Sequence, residues 1–215
     1  MAQSGTKPAD TIDVRNTPVQ QRSADRMQAL LDAAATIIDE EGVEGVTTTA
    51  VAYRSRSSVG VLYRYFPNVD SLLRALAQRN LQRFFENIED SVEKPSPGRP
   101  WTSFGKTLDA YVWMYRNEPG FRGLRFGDII SDKFLDPNLS NNGVVARAFA
   151  QQHSEIHGVP VTDELLFHLE NVVVMCTAIL QHAFLYDPRG DNRFINHARE
   201  FFHQYLLTYL PLSPE

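Results

Sequence analysis

Cysteine is almost missing from this chain: Cys176 is the only one in 215 residues. No intrachain disulfide can form, and a reducing, cytoplasmic location is expected. Long apolar runs are missing too. The longest, Val172 to Leu180, is about half of the roughly 20 residues that a bilayer span requires, so no membrane partner is expected. The first residues, Met1 to Gln21, are polar and hold no apolar core of a signal peptide. No stretch alternates apolar and polar residues with period two for long, and no repeat is visible, which leaves an all-α fold. Catalytic constellations are also lacking, because no Ser/His/Asp or Cys/His arrangement stands out. Gly105-Lys106-Thr107 resembles the end of a phosphate-binding loop, but Pro100 stands where that loop needs glycine, and no strand precedes it. His153 and His157 share a helix face with no third ligand placed by sequence, so neither a metal nor a cofactor is expected. The net charge of −5 argues against a general coat for nucleic acid. One segment inverts that balance: Gly45 to Val69 contains Arg54, Arg56 and Arg64 and no acidic residue.

Residues 1–22 are polar and aperiodic and read as a flexible arm. Met27, Leu30, Leu31, Ala34, Ile37 and Ile38 fall at helical spacing and predict a helix over 23–41, stopped by Gly42. Asn68 can cap a later helix whose apolar face is Leu72, Leu73, Leu76, Leu81, Phe84, Phe85 and Ile88. It runs into the breaker Lys94-Pro-Ser-Pro-Gly-Arg-Pro100. Further helices are expected over 101–117, 122–134, 141–157, 162–186 and 191–210, separated by segments rich in Pro and Gly.

Between the first helix and Asn68 lies the most informative stretch. Thr47 can cap a short helix, Thr48-Thr49-Ala-Val-Ala-Tyr53, and Ser57 or Ser58 can cap a second that ends in Tyr63-Arg64-Tyr65. Gly60 gives the second helix a face where another backbone or a phosphate can come close. Tyr63, Arg64 and Tyr65 end it with groups suited to phosphate oxygens. Pro67 pushes Phe66 out of the α region and stops the helix. Two short helices joined across Ser55-Arg56-Ser57 make a helix-turn-helix, whose second member can enter a DNA major groove.

Ala33-Ala34, Gly42, Thr47-Thr48, Val51-Ala52 and Ser58-Val-Gly60-Val-Leu-Tyr63-Arg-Tyr-Phe66-Pro-Asn68 together resemble the tetracycline-repressor (TetR) family of bacterial regulators over residues 26–73. The resemblance implies three parts: an arm over 1–22, a helix-turn-helix DNA-binding domain over 23–70, and a helical ligand-binding and dimerisation domain over 71–215. It implies phosphate contacts from Thr48 and Tyr63, with Tyr65 nearby. Thr49, Val59, Val61 and Arg64 become the candidates to face base edges, Arg64 for guanine and the valines for thymine methyls. Packing of the valines into the domain core is the competing role. This chain departs from the family at two places, having Arg56 where the turn usually has Gly and Val69 where a Lys usually meets the DNA backbone. If residue 56 must be left-handed, Arg costs about 1 kcal/mol more than Gly. Arg54 or Arg56 can then stand in for the missing lysine.

The resemblance further implies a homodimer that binds a palindromic double-stranded operator and releases it when a small-molecule effector binds. Aromatic residues crowd the irregular helices between 101 and 157, a composition suited to an apolar or aromatic effector. Trp113, Phe126 and Phe149 are the expected wall residues and His153 a polar contact. The two long amphipathic helices within 162–210, joined by Asp187-Pro-Arg-Gly190, are expected to form a two-fold four-helix bundle with a second copy. The alternative is a helical enzyme or small-molecule carrier with no DNA-binding role, which leaves the Ser58–Phe66 motif unexplained.

Overall fold

The computed structural model describes residues 18–91, 102–124, 138–158 and 160–209. Helix α1 spans Pro18–Glu41, so the start expected at 23 lies five residues too late and residues 18–22 are helical. Proline suits the first helical position, because its missing N–H is one of the unpaired donors there anyway. Gly42 stops α1 with a φ of 80°, its N–H bonded to the Ile38 carbonyl at 3.0 Å. A single 3-10 turn, Val43–Gly45, follows.

Helices α2 (Thr48–Arg54) and α3 (Val59–Tyr65) both start on side-chain caps, Thr47 accepting from the Ala50 N–H and Ser58 from the Val61 N–H. Helix α4 (Val69–Ser91) starts on Asn68, whose Oδ1 accepts the Ser71 N–H at 2.8 Å, while Ser71 Oγ accepts the Asn68 N–H at 3.2 Å. That reciprocal pair satisfies two of the otherwise unpaired donors at the helix start. Helices α5 (Thr102–Asn117), α6 (Asn141–His157), α7 (Asp163–Ala183) and α8 (Asn192–Tyr209) complete the all-α architecture. Residues 122–124 of the helix expected over 122–134 form a turn; the rest of it, Phe126 included, and residues 1–17 lie outside the described residues.

Two apolar cores form, and α4 belongs to both. Leu72, Leu73 and Leu76 pack with Leu30, Ile37, Val51 and Leu62 in the first. Phe84 and Ile88, further along the same helix, pack with Tyr111, Phe149, Leu169 and Phe202 in the second. The boundary expected near residue 71 therefore falls at the first turn of a helix that runs through both cores. α7 is long and apolar enough by composition to cross a membrane. Here, however, Leu165, Leu169, Val172, Val173, Cys176 and Leu180 are buried against neighbouring helices.

Candidate functional site

The outer surface of α3 is built by subtraction. Leu62 is fully buried and Phe66 nearly so, which fixes the inner face. Gly60, Tyr63 and Arg64 then face outward, with Val59 and Val61 half-buried at the flanks and outside the apolar core. A Cβ added at Gly60 would meet nothing closer than Ser58 Oγ at 3.9 Å. No internal packing therefore demands glycine at this position. It keeps the outer face of the helix low.

Around α3 the candidate residues divide. Thr49 and Arg56 are exposed, Thr48 is half-buried at the start of α2, and Tyr63 is 52 % exposed. Ser58 spends its hydroxyl as the cap of α3. Arg54 is turned back onto α1, its Nη2 2.5 Å from Glu40 Oε2. The hydrogen bond between them lowers the Glu40 pKa and raises that of Arg54. As a substitute for the family's backbone lysine, Arg54 is thus already committed, and Arg56 is the free candidate of the two. Arg56 has a φ of 52°, so the left-handed turn position is real and is filled by a residue with a Cβ.

Sequence reasoning missed part of this surface. Tyr53 is 87 % exposed at the end of α2. At the other end of α3, the Tyr65 hydroxyl lies 3.1 Å from Ser23 Oγ on α1, and Arg26 Nη1 donates to Ser57 Oγ at 3.3 Å. The Arg64 guanidinium lies over the Tyr65 ring at 5.5 Å. Arg22, Ser23, Arg26, Arg64 and Tyr65 together line an open cleft. The long reach from α1 to α3 made this grouping invisible to local pattern.

A second candidate site lies in the other core, where α4 to α8 converge. A void of about 30 Å³ is lined by Phe84, Thr107, Tyr111, Phe149, Cys176 and Phe202, among others. Burial pushes the Cys176 thiol up to about 12. Phe149 lines this void. Trp113 does not: it is 44 % exposed, on the face of α5 that carries Asp109 and Arg116. Helical phase decides this, since Thr107, Leu108, Tyr111, Met114 and Tyr115 occupy the inner face. His153 is 3 % exposed on α6 and does not line the void.

The turn Glu118–Leu124 bridges the two cores. Phe121 packs in the second and Leu124 in the first. Glu118 accepts from Arg83, and Arg79 links it to α1, with Nη2 3.9 Å from Glu118 Oε1 and Nη1 2.6 Å from Asp32 Oδ1. Arg79 is buried, and desolvation together with the charge of Arg83 lowers its pKa, against the pull of Asp32 and Glu118. Gly120, at a φ of 74°, lies so close to α1 that an added Cβ would be 2.9 Å from Ala35 Cα.

Residues 30–76 match the profile described as bacterial regulatory proteins of the tetR family, and residues 98–210, more than half of the chain, match the tetracyclin repressor-like C-terminal domain. A TetR-family transcriptional regulator from Streptomyces coelicolor superposes with a TM-score of 0.74 at 31 % identity, over 86 % of this chain and 99 % of that one. The HTH-type regulator YobS of Bacillus subtilis is 30 % identical over 135 residues, 60 % of this chain and 68 % of YobS. The repressor KstR of Rhodococcus jostii is 45 % identical over 76 residues, 35 % of this chain; the match spans only 33 % of KstR. Members of this family are DNA-binding regulators rather than enzymes. With both its helix-turn-helix and its C-terminal domain matched, and an all-α fold that joins the two through α4, this chain belongs to the TetR family of transcriptional regulators.

Proposed function

We propose that this regulator is a cytoplasmic homodimeric repressor, docking one α3 per subunit in successive major grooves of a palindromic operator, and that a small apolar or aromatic effector releases it. The outer face of α3 carries the reading. Gly60 lies on it without any packing reason to be glycine, between Arg56 and the Tyr63-Arg64 pair. Close approach of a DNA backbone or groove wall supplies that reason. Thr48 and Tyr63 would hold phosphates, while Thr49, Val59 and Val61 would face base edges.

The apolar lining of the void supports the effector class, since a sugar or nucleotide would leave its polar groups unmatched there. At about 30 Å³ the space holds roughly one water, far below the ~300 Å³ of a small-molecule pocket. An effector would therefore favour a state in which α5 and α6 have moved apart, and its power to release DNA equals its preference for that state. The Glu118–Leu124 turn touches both cores and would carry the displacement to α1.

Gly60→Ala tests the reading. Alanine is the better helix former by about 1 kcal/mol, so the variant is expected to melt no earlier than wild type while its operator binding falls. Unchanged operator affinity would remove α3's outer face from the interface.

A further inference from the structure

We infer that the cleft between the first turns of α1 and the end of α3 is a seat for a DNA backbone phosphate, and that Arg64 belongs to this seat and not to base readout. The inference rests on the DNA-binding role proposed above. Arg22, Ser23 and Arg26 come from α1, and Arg64 and Tyr65 from α3. Three guanidinium groups thus line one cleft, and among the described residues no carboxylate lines it with them. The acid closest in sequence, Asp25, accepts the Gln21 amide at 2.9 Å.

Many other arginines are neutralised: Arg54, Arg74, Arg79, Arg83, Arg193 and Arg199 each pair with an acidic side chain. Arg22, Arg26 and Arg64 have no acidic partner among the described residues, and neither do Arg56, Arg116, Arg122 and Arg147. What distinguishes the first three is that they share one cleft. Clustered like charges repel, and an arriving anion relieves the repulsion.

The cleft is also pre-shaped. The Ser23–Tyr65 hydroxyl pair at 3.1 Å closes its floor, the bond from Arg26 to Ser57 at 3.3 Å ties α1 to the helix-turn-helix turn, and the Tyr65 ring supports the Arg64 guanidinium. Planar guanidinium forks and hydroxyl donors match phosphate oxygens. Its position favours DNA over a free anion, because the cleft continues the exposed strip of Gly60, Tyr63 and Arg64. The ring contact with Tyr65, itself tied to Ser23, sets Arg64 at the α1 end of that strip. Contacts of this kind fix register and carry no sequence information.

Full-length wild type and the variants R22A, R26A and R64A are titrated against a duplex carrying the promoter region of the protein's own gene, and against a scrambled duplex, over a range of salt. Each variant is expected to weaken both duplexes by the same factor and to make the slope of log K against log salt shallower by about 0.9. S57A removes the partner of Arg26 while keeping every charge, and should leave the slope as in wild type. That control separates loss of charge from loosening of the turn. If R64A loses affinity for the promoter duplex selectively, Arg64 reads a base and the assignment is overturned. If the slopes of R22A and R26A equal that of wild type, the cleft is not a phosphate seat. Protection of the cleft by inorganic phosphate with unchanged DNA slopes would make it a free-anion site and overturns the inference equally. Wild type that binds neither duplex would overturn the DNA-binding role itself; wild type that binds alongside unaltered variants would overturn only the cleft.

Discussion

Arg56 sets a stability cost against a function in a single side chain. Its φ of 52° lies where a Cβ crowds the backbone, at a cost of about 1–2 kcal/mol, part of which glycine returns through its greater freedom in the unfolded chain. Arg56→Gly is therefore expected to raise stability by up to about 1 kcal/mol in urea titrations and to weaken DNA binding, since an exposed guanidinium leaves the α2–α3 turn. A variant that is both more stable and equally tight would show that Arg56 contacts no DNA. Cys176 makes a second prediction at this scale. Its thiol, pushed up to about 12 by burial against the void, holds its proton when folded and loses it near pH 8.5 when unfolded. The folded chain then binds more protons than the unfolded one, so stability falls as pH climbs from about 8.5 towards 12. Cys176→Ala should flatten that decline. In the wild type, thiol-reactive dyes should label Cys176 at pH 8 only as the protein unfolds.

Among the elements, the turn Glu118–Leu124 gives the sharpest test of how the two cores communicate. Gly120 combines a φ of 74° with a Cβ position 2.9 Å from Ala35 Cα and 3.0 Å from its carbonyl oxygen, both backbone atoms that cannot swing aside. Gly120→Ala is expected to destabilise the protein by at least the ~1–3 kcal/mol of overpacking and to shift operator affinity per folded molecule, because α1 must move. Lost stability with operator affinity and effector release both unchanged would reduce the turn to packing alone. The sequence shows this turn only as Glu118-Pro-Gly120, a separator. Its role depends on pairings such as Arg83 with Glu118 and Arg79 with Asp32, 35 and 47 residues apart, which no local pattern encodes. Caps were legible for the opposite reason: Thr47, Ser58 and Asn68 act on backbone three residues away, so residue type and spacing suffice. Trp113 lies between these cases. Its helix was readable, but aromatic content alone does not distinguish a core-facing ring from an exposed one, and the phase of α5 turns Trp113 outward.

At the scale of the whole molecule, the decisive surface is the face of α7 and α8 that one chain leaves uncovered. Phe167 is 63 % exposed, Val174 45 % and Met175 41 % on α7, and Leu207 and Tyr209 are 40 % and 51 % exposed on α8. On α7 these residues follow helical spacing with Asn171 and Ala178, so they form one stripe and not scattered singles. The hairpin beneath is rigid: Gly190, at a φ of 78°, packs against the Phe184 ring, and Asp187 accepts the Gly190 N–H at 2.9 Å. A second copy related by a two-fold axis would cover both stripes as a four-helix bundle. Phe202 belongs to a different class. It is 5 % exposed and packs in the monomer's own core, so Phe202→Glu is expected to unfold the protein whatever its oligomeric state. Phe167→Glu and Met175→Glu place a charge on the uncovered stripe and should leave helix content and the monomer core intact. In sedimentation at micromolar concentration, wild type should run as a dimer and the two stripe variants as folded monomers. Their operator affinity should drop by about 10²- to 10⁴-fold, because the second half-site no longer arrives tethered to the first. Wild type that sediments as a monomer, or stripe variants that remain dimeric, would place the two-fold axis elsewhere on the molecule.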